Sequence, residues 1–125
     1  MKTVEHNEQV SLMKWWSLAH QQFGISEQLL FAVPNGGERN VIVASRLKAE
    51  GVRAGVPDLF LAHPNNEFHG LFIEMKKPKG GVVSDNQKCY LELLKCSGYA
   101  VAVCHGWIEA KQIIEDYLSD TISHP

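Results

Sequence analysis

Two spacings of hydrophobic positions alternate along the chain, and together they predict its elements. From residue 4 to 23 the spacing is helical, with Leu12, Trp16, Ala19 and Phe23 on one stripe of an amphipathic helix. Thr3 is placed to cap it and Gly24 to stop it. The short apolar run LLFAV (29–33) reads as a strand that PNGG breaks. Residues 40–50 return to helical spacing and end at Gly51. DLFLA (58–62) and LFIEMK (71–76) are strand-like, and the polar HPNNEFHG between them suits a hairpin connection. After the loop KGGVVS, Ser84 is a good cap for a helix through about Lys95. YAVAVC (99–104) is a further strand. WIEAKQIIEDYL closes the pattern as an amphipathic helix with Trp107, Ala110, Ile114 and Leu118 on its apolar side. The order α-β-α-β-β-α-β-α predicts an α/β fold, a central mixed β-sheet flanked by α-helices.

Composition bounds this picture without redrawing it. Residues 1–125 read as a single domain, with little room for a second core. Apolar residues make up 45% and charged residues 21%, an ordinary globular mixture. No apolar run approaches the roughly 20 residues that span a bilayer, and MKTVEHNEQ lacks the apolar segment of a secretory leader. The three cysteines form no C-x-x-C pair and read as reduced thiols of a cytoplasmic protein. The six histidines show no metal-ligand spacing, so a structural zinc site is not expected. A net charge of −2 neither marks nor excludes a nucleic-acid binder, because phosphate contacts depend on local cations. Those cations gather as Arg39, Arg46, Lys48 and Arg53, then as Lys76, Lys77, Lys79 and Lys88, while the acids lie mostly towards the termini.

The run FIEMKKPKGG (72–81) ends an apolar strand in charge. Alternation sets Phe72, Glu74 and Lys76 on one face and Leu71, Ile73 and Met75 on the other. The second set packs; the first passes from apolar to charged. Asp58 opens the preceding apolar run directly after Pro57, where an uncompensated carboxylate is costly. Paired as a hairpin, the two strands bring Asp58 and Glu74 to one end of the sheet. Close carboxylates repel, and a divalent cation between them relieves the repulsion. Lys76 beside them can orient or help deprotonate an attacking water and steady negative charge on a phosphorane. Acid, acid and lysine therefore suit phosphodiester hydrolysis. The plainer alternative is a solvated strand end with a surface Glu–Lys pair.

Two more residues join by periodicity. Glu5 projects along the line of Leu12, Trp16 and Phe23, so it points inward at the helix start; Glu8 lies about sixty degrees off that line. An inward acid suits a place at the metal or just behind it, whereas a first-turn Glu also serves as an exposed or capping residue favoured by the dipole. Gln87 shares the stripe of Leu91 and Leu94 and turns an amide towards the sheet. It could hold a water or a phosphate there, or only a helix-start hydrogen bond.

These segments resemble a known family. GVPDLFL, LFIEMKKPKG and SDNQ, with EHNEQ, PNGGERN and LKAEGVRAGVPD, are similar to the virus-type replication-repair nuclease (VRR-NUC) domain of the PD-(D/E)xK superfamily, in its stand-alone phage and bacterial form. The resemblance covers nearly the whole chain. It implies a restriction-endonuclease-like core and DNA cleavage dependent on Mg²⁺ or Mn²⁺. Carried over by position, Asp58 and Glu74 are metal ligands, Lys76 is the catalytic lysine and Gln87 the helix glutamine. Glu5 is the N-terminal acid and a further metal ligand, with Glu8 close enough to compete. Stand-alone members resemble Holliday-junction resolvases, which usually act as dimers. The implied function is a structure-selective endonuclease for branched DNA in the cytoplasm of a phage or bacterial host.

Cys89, Leu93 and Cys96 give a homodimer separate support: they form a second apolar stripe on the third helix, either sandwiched within the fold or covered by a partner. Arg39 in PNGGERN, with Lys77, Lys79 and Lys88, are candidate contacts to the DNA backbone, against a tight turn and a solvated face. The KGGVVS loop is a candidate to close over substrate. Two other functions stay open: a nuclease for flap or single-stranded DNA, and a non-catalytic DNA-binding or assembly module of the same fold. Retention of Asp58, Glu74 and Lys76 together favours turnover.

Overall fold

Trp16 shows how the first helix is anchored. The computed structural model describes residues 3–34 and 40–122, the side chains from 120 onward excepted. In it, α1 (Thr3–Ala19) buries Leu12, Trp16 and Ala19, the stripe expected from spacing. The Trp16 indole N–H donates to the Glu27 carbonyl at 2.9 Å, so the ring enters the core with its polar atom satisfied. A 3₁₀ turn over His20–Phe23 carries the stripe on and stacks Phe23 against Trp16 at 6.2 Å. Thr3, expected as a cap, is itself helical, because the first turn already includes its backbone.

The sheet holds β1 (Leu30–Ala32), β2 (Leu59–Leu61), β3 (Leu71–Lys76) and β4 (Ala100–His105), in the order β1-β2-β3-β4. β1 and β2 pair antiparallel, as do β2 and β3, while β3 and β4 run parallel, so the sheet is mixed as expected. Leu59, Leu61, Leu71, Ile73 and Met75 are buried in one cluster with α1 and with Ala110, Ile114 and Leu118 of α4 (Trp107–Ile122). Each fully buried aliphatic side chain contributes about 1.5–3 kcal/mol, so this layer clamps both helices onto the sheet. The other face carries Phe60 and Phe72, stacked at 4.2 Å, with Phe31 and Tyr99 edge-on to them.

The remaining helices lie nearer the site. α2 (Val41–Ala49) starts at Asn40, whose Oδ1 accepts from the Val43 amide at 2.9 Å, and it buries no side chain. α3 (Asp85–Cys96) starts at the expected cap, Ser84. Boundaries differ from the expectation in places: β1 is shorter, β2 starts after Asp58 and stops at Leu61, β4 spans Ala100–His105, and α4 continues past Leu118 to Ile122. Among the described residues no helix is long and apolar enough to cross a membrane.

Candidate active site

Asp58, Glu74 and Lys76 are the buried charged residues of the described chain, at 7%, 3% and 8% exposure. A solvated strand end would leave them in water, so these values remove that alternative, and their burial demands compensation. The antiparallel ladder pairs Leu59 with Ile73; one step further, Asp58 falls across from Glu74. There the Met75 amide donates to Asp58 Oδ2 at 2.7 Å, and the side chain takes the place of a ladder bond. β2 therefore starts at Leu59, and the carboxylate is fixed at the sheet end. The Asp58 carbonyl meanwhile accepts from the Val33 amide at 2.8 Å, which ties the residue to β1.

The capping box of α3 aims the next member. Ser84 Oγ accepts from the Gln87 amide at 3.2 Å, and the Ser84 amide donates to Gln87 Oε1 at 2.9 Å. From that anchored position Gln87 Nε2 donates to Glu74 Oε2 at 2.8 Å, while Lys76 Nζ donates to Gln87 Oε1 at 3.0 Å. Two donors meet the amide oxygen and one acceptor meets its nitrogen, so the orientation of the amide is fixed. Lys76 Nζ also stands 3.5 Å from Glu74 Oε2. Gly81, from the KGGVVS loop, lies directly on Lys76: a Cβ there would stand 2.8 Å from Lys76 Cβ. Only glycine lets that loop cover the lysine so closely.

Burial, and then the Asp58 charge, push the Glu74 carboxyl up to about 8, with Lys76 opposing. Asp58 is raised as well, by burial first; the Met75 amide opposes the rise and the charge of Glu5 adds to it. Burial of two neighbouring carboxyls thus works against both being charged at once. Glu74 Oε1 is buried and has no hydrogen-bond partner, as is Gln9 Oε1 one turn beyond Glu5 on α1. A close carboxylate pair with one unpartnered buried oxygen fits a hard divalent cation such as Mg²⁺ or Mn²⁺. Among the described residues no three His, Cys, Asp or Glu side chains gather closely enough to hold a metal. The protein therefore presents the Asp58–Glu74 pair, and Glu5 stands further back with its charge felt at Asp58.

Glu8 has a different partner. Its Oε1 accepts from the Trp107 amide at 2.9 Å and so caps α4, a contact across 99 residues that no local pattern announces. Lys77 is half-buried, Lys79 and Lys88 are exposed, and none of them forms an ion pair among the described residues. Arg39 lies outside the described residues. Leu93 is 64% exposed and Cys89 and Cys96 are exposed beside it, so that stripe is not sandwiched within the fold. Lys48 and Arg53, grouped as basic by sequence but not assigned to the site, line a cleft that Gln87 shares. The signal that could have found them is Gly55, which stands between them and Asp58.

Comparison with known proteins bears on family and fold. The VRR-NUC domain family model matches residues 1–107, a span that includes Glu5, Asp58, Glu74, Lys76 and Gln87. A solved structure described as a VRR_NUC domain protein superposes with a TM-score of 0.81 at 27% identity, covering 96% of this chain and 92% of that one. No curated protein matches the chain.

Proposed function

Since the chain belongs to the VRR-NUC family of the PD-(D/E)xK nuclease superfamily, we propose that it is a Mg²⁺- or Mn²⁺-dependent DNA endonuclease selective for branched DNA such as four-way junctions. The observation that carries this reading is the buried Asp58–Glu74 pair, with Lys76 beside it and Glu74 Oε1 without a partner. Asp58 and Glu74 would hold the cation, which when bound neutralises the scissile phosphate and makes the attacking water more acidic. Glu5, rather than Glu8, is the N-terminal acid of the site, because Glu8 is committed to capping α4. Of the three donors on Lys76, one goes to Gln87 and one lies towards Glu74. The third is left for a phosphate oxygen or the attacking water, where it steadies developing negative charge. Gln87 acts as a positioning residue that holds Lys76 and Glu74 in one geometry.

Around that centre, Lys77, Lys79, Lys88 and Arg39 supply contacts to the DNA backbone and make binding sensitive to salt. The exposed Cys89–Leu93–Cys96 stripe supports a homodimer, in which two sites would cut a junction symmetrically. Three free thiols fit a reducing cytoplasm. The test is purified protein with single-strand, flap, four-way-junction and plain duplex DNA, under Mg²⁺, Mn²⁺ or EDTA. Junction cleavage faster than duplex cleavage, and none in EDTA, is the expected result. Equal cutting of plain duplex removes the branch selectivity, and no cutting with either cation leaves only a non-catalytic DNA-binding module.

A further inference from the structure

The carboxylate site leaves the basic stretch after Arg46 unused. α2, the loop that follows it and the first turn of α3 enclose a cleft of about 560 Å³ beside the carboxylate pair. Its walls include Leu47 and Val52, its cations are Lys48 and Arg53, and Asn86 and Gln87 close one end. Neither cation makes an ion pair or a hydrogen bond among the described residues, so both are available to an anion. Gln87 belongs to both places: the amide that holds Lys76 and Glu74 also borders the cleft.

Gly55 is what joins the two. It sits at φ +86°, and a Cβ there would stand 2.6 Å from the Asn86 carbonyl oxygen and 3.1 Å from the Gln87 nitrogen. The loop therefore lies directly on the first turn of α3, a contact that glycine alone permits. Pro57 and Asp58 follow two and three residues later, so the cleft and the carboxylates are joined by one short connection.

We propose that this cleft takes one unpaired nucleotide of the strand being cut, with its phosphate on Lys48 and Arg53 and its base against Leu47 and Val52. The proposal rests on the nuclease reading of the adjacent site and extends it to the choice of DNA structure. Sites of about 300–1,000 Å³ hold a single small ligand. A paired nucleotide brings its partner strand with it and cannot enter. Flaps offer unpaired nucleotides beside a scissile phosphate, four-way junctions do so where the pairs at the branch point open, and plain duplex does not. Among the described residues no aromatic side chain lines the cleft, so stacking is not used there and little preference among bases is expected. Branched DNA is thus selected at Lys48 and Arg53, while Asp58, Glu74 and Lys76 cut it.

Binding in EDTA tests this without turnover. Labelled single-strand, flap and matched duplex DNA are titrated by fluorescence anisotropy with wild type, with the double variant Lys48→Ala/Arg53→Ala, and with Leu47→Trp. The tryptophan fills the cleft without removing a charge. The double variant should lose about tenfold in affinity for single-strand and flap DNA, and little for duplex. Its salt slope on single strands should fall by about 0.7, the share of one phosphate. Leu47→Trp should reproduce the selective loss with an unchanged salt slope. Wild-type affinity in both variants, or an equal loss on duplex, overturns the proposal. Because no cleavage is measured, these outcomes stand whether or not the wild type cuts DNA.

Discussion

Gln87 donates to Glu74 and accepts from Lys76 while Ser84 holds its backbone, so loss of its amide loosens both functional groups together. Gln87→Ala should lower turnover by about 10–100-fold, the usual cost of removing a group that orients a metal site. It should also destabilise the fold by about 1–3 kcal/mol, because Glu74 Oε2 and Lys76 lose a buried partner. Single-turnover kinetics and urea melts separate the two effects. The carboxyl pair makes an independent pH prediction. Glu74 titrates near 4.5 ordinarily and is held up to about 8 in the fold, so folded protein keeps a proton that the unfolded chain releases. Stability in EDTA should therefore be greatest below pH 4.5 as far as this group is concerned, and should be lost as pH rises towards 8. Mg²⁺ at pH 8 should restore it by replacing the proton. Thermal melts at pH 5, 6.5 and 8 with and without Mg²⁺ check the sign, and Asp58→Asn should flatten the slope because Glu74 then loses its charged neighbour. The pairing of Glu74 with Lys76 was legible because strand alternation has a period of two. Their burial was not, since it depends on Gly81 and α3 arriving from later in the chain.

Among the elements, α1 carries two acids with different work. Glu8 completes α4 by accepting from the Trp107 amide, whereas Glu5 acts electrostatically on Asp58. Glu8→Ala should cost about 1 kcal/mol of stability, the usual worth of a helix cap, with metal affinity little changed. Glu5→Gln should show the reverse, weaker Mg²⁺ binding by calorimetry with an unchanged melt. The helical stripe of α1 was readable because Leu12, Trp16 and Ala19 repeat at helical spacing. The choice between Glu5 and Glu8 was not, because it turns on a helix that begins 99 residues later. α3 was equally legible from Ser84 onward, and its capping box carries function as well as a boundary. Ser84→Ala should cost about 1 kcal/mol and also slow turnover, since Gln87 loses its anchor. The late start of β2 escaped sequence reading because Asp58 uses its side chain, not its backbone, to meet Met75.

At the scale of the whole molecule, the order of helices and strands followed from hydrophobic spacing alone, and the mixed sheet followed from that order. Which faces stay open did not, because a second apolar stripe on α3 reads the same whether covered by the fold or by a partner. The structure leaves Leu93 exposed, and the proposed dimer places it at an interface. Leu93→Asp should convert a dimer to a folded monomer in light scattering, with the circular dichroism spectrum retained. If the wild type is already a monomer at micromolar concentration, symmetric junction cutting has no support. The chemistry is asked of one sheet end that combines two carboxylates, a lysine and a glutamine from the start of β2, from β3 and from α3. The most direct measurement is single-turnover cleavage of a four-way junction in Mg²⁺ by wild type and by folded Lys76→Ala. The account predicts a fall of about 10²–10³-fold for the variant, the cost of losing one positioned charge-stabilising donor; undiminished cutting by Lys76→Ala would contradict it.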